Sequence, residues 1–189
     1  MKPMVHLPAV IFGAAMTLLS FAIAVETILR KFFSMSLGGI DEIGGYAVAI
    51  VAPLAFLVTA SEQAHIRINL LHAKLPLGAR AFLNVVSAVS LALLALFLLY
   101  FTVETVRETL AYKSIAQTPW ATPLIYPQAI WLCAMVIFAV GAVVLAVRAV
   151  LLLARGEVQI LDRRFGPGTA EEELEAELAD LKDREDVAQ

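Results

Sequence analysis

Four apolar runs, each bounded by charge, dictate most of what this chain can become. They extend from Leu7 to Leu29, from Ile43 to Ala60, from Ala81 to Val106 and from about Ile125 to Ala154. A hydrocarbon layer of about 30 Å is crossed by roughly 20 helical residues, and all four runs are near or above that length. An isolated strand in lipid would leave its backbone groups unpaired, so each run must be a helix. Composition agrees: 60% of the residues are hydrophobic and 16% charged, against about a quarter charged in a soluble domain. The expected fold class is an all-α integral membrane protein of four transmembrane helices.

The first run also fits a different reading. Lys2 precedes it, and Ala22-Ile23-Ala24 resembles the small-residue site of a cleaved signal peptide. The apolar run continues past that site to Leu29 and three more follow, so a retained helix is expected. Orientation follows from the basic residues near the runs. Lys2, Arg67, Lys74, Arg80, Arg148, Arg155, Arg163 and Arg164 fall on one side, and Arg30, Lys31, Arg107 and Lys113 on the other. Both termini are therefore expected in the cytoplasm. Arg30 and Lys31 are a local exception, partly neutralised by Glu26 one helical turn before Arg30.

Residues 1–165 read as the membrane scaffold and 166–189 as a separate acidic tail. Gly166-Pro-Gly breaks the chain, Thr169 and Glu172 make a capping box, and Leu174, Leu178 and Leu181 form one stripe. A short acidic helix is expected there, and a frayed, solvated one is the commoner outcome for so short a segment. Between the second and third runs, apolar Ile66, Leu70 and Ala73 alternate at helical spacing with His65, Arg67, Asn69, His72 and Lys74. Such a pattern fits an interfacial amphipathic helix, with Arg67 and Lys74 reaching phospholipid phosphates. A plain solvated connection is the alternative. Asp41 and Glu42 stand where they cap the positive end of the second helix.

Several chemistries are excluded. The formal charge of -3 arises largely from the tail, and no basic stripe with interleaved aromatics suggests nucleic acid. Cys133, the single cysteine, rules out an intrachain disulfide and reads as a small buried hydrophobe. Glu62 and His65 match half of a di-iron motif that needs a second copy and further glutamates. His65 and His72 share a face but lack a third zinc ligand. No nucleophile elbow or phosphate loop is present, so neither a catalytic site nor a metal or cofactor is expected in this chain. Glu26, Glu62, Glu104 and Arg107 all lie near the ends of the runs, where water or headgroups solvate them, and no ionisable residue stands at mid-depth to build a transport site. Pro53 is expected to kink the second helix. Asn84, Ser87 and Ser90 give the third a weakly polar stripe suited to helix packing.

The residues carry a family resemblance. Ile40-Asp-Glu-Ile opens the second run, Ala64-His-Ile-Arg-Ile-Asn-Leu-Leu and then Leu75-Pro follow it, and Thr118-Pro with Pro123-Leu-Ile-Tyr-Pro-Gln precedes the fourth. In this order they resemble the small membrane subunit of tripartite ATP-independent periplasmic (TRAP) transporters, over roughly residues 7 to 155. Ala64 and Asn69 depart from the Gly and Asp common in that family. The resemblance implies a static scaffold in the bacterial inner membrane. It would serve a large multispanning subunit that carries the substrate and sodium sites, and a periplasmic protein that captures an organic acid. It also offers Lys31, Glu108 and Lys113 as candidate contacts for that binding protein, with simple solvation as the alternative for each. The alternative is a stand-alone channel or interaction protein.

Overall fold

The computed structural model describes residues 3–61, 75–166 and 178, with side chains from position 13 onward except that of Ala15. Within these limits the chain is helical. In order come α1 (Pro3–Phe33), α2 (Ile40–Ser61), α3 (Leu77–Tyr112), α4 (Ile125–Ala154) and a short α5 (Val158–Phe165). The only extended pairing among the described residues is a single antiparallel bridge between Ile115 and Pro123.

Among the described residues, three helices, α2, α3 and α4, are long and apolar enough to cross a membrane. The helices overrun the apolar runs at several ends, because helical hydrogen bonding continues into the polar flanks until the backbone is turned. α3 is the extreme case, 36 residues long, or about 54 Å at 1.5 Å per residue. α2 runs on through Pro53.

The stops are visible in the backbone. Gly156 adopts φ +73°; its N–H bonds the carbonyl of Leu153 and the N–H of Glu157 that of Leu152, the Schellman arrangement that ends a helix on a left-handed residue. α3 ends similarly, with the Ser114 N–H on the Thr109 carbonyl, but there the left-handed residue is Lys113, at φ 50°.

The chain divides into two compact units: Met1–Ala55 with Leu98–Ile137, and Phe56–Phe97 with Phe138–Gln189. In the second, Ala81, Val85, Ala149, Leu161 and Phe165 form a buried cluster, flanked by half-buried Leu145, Leu152 and Val158. α5 belongs to this core through Leu161 and Phe165. The ring of Phe56 lies 6.1 Å from that of Phe138, and a Cβ on Gly141 would overlap the Leu57 side chain. In the first unit Val106, Ala134 and Met135 are buried, together with polar Glu26, Glu42, Thr102 and Thr109.

Large apolar side chains are outside and small ones inside. Nine of the fifteen buried apolar residues described are alanines, while Leu93, Phe97, Tyr100, Ile137, Val140 and Leu151 are exposed. Water would not tolerate that arrangement; lipid does, because helices there associate through close packing of small residues. Cys133 departs from that rule and corrects the expectation of burial: it is exposed. Ser87 and Ser90 are likewise exposed, and of the expected polar stripe only Asn84 is buried.

Candidate functional site

The most constructed polar site lies in the first unit, where α1 turns into α2. Glu26 approaches the end of α1 with its side chain only 4% exposed. Its Oε1 accepts from Arg30 Nη2 at 2.9 Å and from Ser36 Oγ at 2.5 Å; its Oε2 accepts from the Leu37 backbone N–H at 2.7 Å. Ser36 Oγ in turn accepts from the Gly38 N–H. One carboxylate thus satisfies backbone and side-chain donors of the whole connection, which explains how a charge survives burial. The expected pairing of Glu26 with Arg30 is present. The expectation that water or headgroups solvate Glu26 is corrected: the protein does so, because the chain folds back over it after Phe33.

Arg30 also reaches Asp41 Oδ2 at 3.3 Å, joining α1 to the first turn of α2. Both partners are exposed, so this bond is screened and adds direction more than stability. Glu42 is 8% exposed and accepts from the Tyr46 hydroxyl at 3.1 Å through Oε2. Its Oε1 is buried with no hydrogen-bond partner among the described residues. Asp41 and Glu42 stand in the first turn of α2, where the N–H groups of Glu42 and Ile43 bond the Gly39 carbonyl.

The α3–α4 connection packs onto this junction. A Cβ on Gly39 would overlap the Trp120 indole, and Gly38, at φ +78°, sits against Pro119. Glycine is required twice over here, once for close approach and once for a left-handed backbone. The connection is braced by the Ala116 N–H to Thr122 carbonyl and Leu124 N–H to Ser114 carbonyl bonds. An open cleft of about 300 Å³ at the α1–α2 junction is lined by Glu26, Thr27, Arg30, Lys31 and Asp41. Lys31, Glu108 and Lys113 are all exposed in this unit. Half-buried Glu104 and exposed Arg107, near the end of α3, pair across one turn at 2.7 Å.

A second polar clip holds α5 in the other unit. Asp162 meets Arg80 Nη1 at 3.3 Å and accepts from Asn84 Nδ2 at 3.3 Å. Asp162 escaped the sequence reading. Its signal was the spacing of Val158, Leu161 and Phe165, which puts an apolar stripe on one face with Arg163 and Arg164 elsewhere. His65, Arg67, Asn69 and Lys74 lie outside the described residues, as does the tail apart from Gly166 and Leu178, the latter helical and exposed.

Chemically, these arrangements hold helices together. Among the described residues no three His, Cys, Asp or Glu side chains gather as a metal site would require. Comparison with curated proteins and with solved structures gave no match. A family model, described as the DctQ component of tripartite ATP-independent periplasmic transporters, does match, over residues 19–152. That span includes the Glu26 junction, the Gly39–Trp120 contact, α2, α3 and all but the last two residues of α4, and the chain belongs to this family of small TRAP transporter membrane subunits.

Proposed function

We propose that this chain is the static scaffold of a TRAP transporter. It supports a large membrane subunit during sodium-coupled uptake of an organic acid delivered by a periplasmic binding protein. The observation that carries the reading is the family match over residues 19–152. The inverted surface adds to it: small residues inside and large apolar ones outside suit a body that meets lipid and another membrane protein laterally. None of the apolar runs carries an ionisable residue near its centre, so the solute and sodium sites belong to the companion subunit.

In this reading α1 is a fourth crossing, since the run from Leu7 to Leu29 falls inside a 31-residue helix. Four crossings, with the excess of Lys and Arg on the side of the termini, place both ends in the cytoplasm of a bacterial inner membrane. The Glu26 junction and the α3–α4 connection then face the periplasm. Exposed Phe32, Phe33, Tyr112, Trp120 and Tyr126 suit the aromatic belt found at such a boundary. Lys31, Glu108 and Lys113 are there to meet the binding protein. His65, Arg67, Asn69 and Lys74 anchor the segment between α2 and α3 to phospholipid headgroups.

Co-purification tests the reading. Tagged chain extracted from its native membrane should bring down a much larger multispanning protein, and purified alone in liposomes it should give no solute flux. Selective conduction by the chain alone would replace the scaffold with a channel.

A further inference from the structure

The basic residues around the end of α4 are unused by the scaffold reading. Arg148, Arg155, Arg163 and Arg164 are all exposed. The acid within α5, Asp162, is already committed to Arg80 and Asn84, so it does not neutralise them. Arg148 on α4 and Arg155, which follows its last residue with its N–H still on the Leu151 carbonyl, are seven residues apart and therefore share a face. On α5 the buried side is set by Leu161 and Phe165. The opposite side presents Gln159, Ile160, Arg163 and Arg164, all exposed, with Ile160 at 51%. An apolar side chain flanked by two guanidinium groups, on a short helix at the end of a membrane-spanning one, matches an acyl boundary beneath a phosphate layer.

The geometry points to a lipid site: Arg155, Arg163 and Arg164, with Arg148 two turns earlier on α4, form a docking rim for anionic phospholipid headgroups. The inference rests on the membrane reading above and concerns residues distinct from the expected anchor between α2 and α3. Charge complementarity favours an anionic over a zwitterionic lipid, because three or four guanidinium groups concentrate here and, among the described residues, Glu157 is the one carboxylate beside them apart from the committed Asp162. The chain's own acidic segment, 171–186, is the competing occupant. Arg148 argues against it. That residue lies about 10 Å inward from Arg155 at 1.5 Å per residue, within the apolar run, where a snorkelling side chain draws in a lipid phosphate but a strongly charged peptide does not follow.

The test uses the full chain in nanodiscs of phosphatidylcholine mixed with phosphatidylglycerol, counting co-retained lipids by native mass spectrometry after release. Retention of phosphatidylglycerol over phosphatidylcholine should be on the order of ten-fold or more, each guanidinium near an anionic surface adding about a factor of five, and should fall with salt. Replacing Arg155, Arg163 and Arg164 together by Gln should remove most of the preference, and replacement by Lys should keep most of it. Equal retention of the two lipids by the unmodified chain overturns the proposal without needing any variant. So does an unchanged preference in the Gln variant, the result expected if the acidic segment covers the rim. Failure of the membrane reading would look different: the chain would not enter the nanodisc at all.

Discussion

Glu26 concentrates more interactions than any other residue at the α1–α2 junction: two side-chain donors and one backbone N–H converge on it. Removing its charge leaves the Leu37 N–H and the Ser36 hydroxyl with a weaker acceptor in a buried site. Glu26→Gln should lower the thermal unfolding midpoint in detergent by several degrees, and Glu26→Ala by more, read by circular dichroism. Ser36→Ala should reproduce a smaller part of the loss. An unchanged midpoint in all three would show that the junction contributes nothing to stability. Lys113 is the opposite case, a side chain held at φ 50° where glycine is preferred. Lys113→Gly should relieve that strain and stabilise the chain by about 0.5 to 1 kcal/mol, measured by chemical unfolding. If Lys113 also contacts the binding protein, the same variant will be more stable yet weaker in docking, which separates the two roles.

At the scale of elements, α3 shows how packing is written in small residues. Ala81, Val85, Ala88, Ala92, Ala95, Leu99, Thr102, Val106 and Thr109 alternate in steps of four and three, and all are buried or half-buried. Such a step pattern is that of helices packed at shallow angles. It was present in the sequence, but hidden, because the lipid-facing positions between these residues are just as apolar. α5 was hidden for another reason. Eight residues are too few to form a stable helix alone; among the described residues the contacts of Val158, Leu161 and Phe165 and the Asp162 clip hold it. Asp162→Ala should cost about 1 to 2 kcal/mol through the lost charge-assisted bonds. It should also make Arg163 and Arg164 faster targets for trypsin while α3 and α4 stay protected. Equal cleavage rates would mean that the apolar face alone fixes α5.

For the whole molecule, the decisive experiments concern assembly. Arg67→Glu should reduce the yield of the complex with the large subunit, and transport with it, while substrate capture by the soluble component is unaffected. Unchanged yield and transport would remove the anchor role from the segment between α2 and α3. The sequence by itself determined that this chain is built from long apolar helices and carries the motifs of its family, because helix length and hydrocarbon thickness are both set by the run of apolar residues. It also made the Glu26–Arg30 pair readable, since partners one helical turn apart meet wherever the helix goes. What only the tertiary structure decided is which face of each helix is inside. In water, apolarity marks the interior; in a chain whose exterior is also apolar it marks nothing, so Cys133, Ser87 and Ser90 could point outward without any local sign. Nor could spacing along the chain reveal that Glu26 is solvated by Ser36 and Leu37, that Trp120 rests on Gly39, or that Asp162 reaches Arg80. Those meetings depend on where the chain returns after each turn.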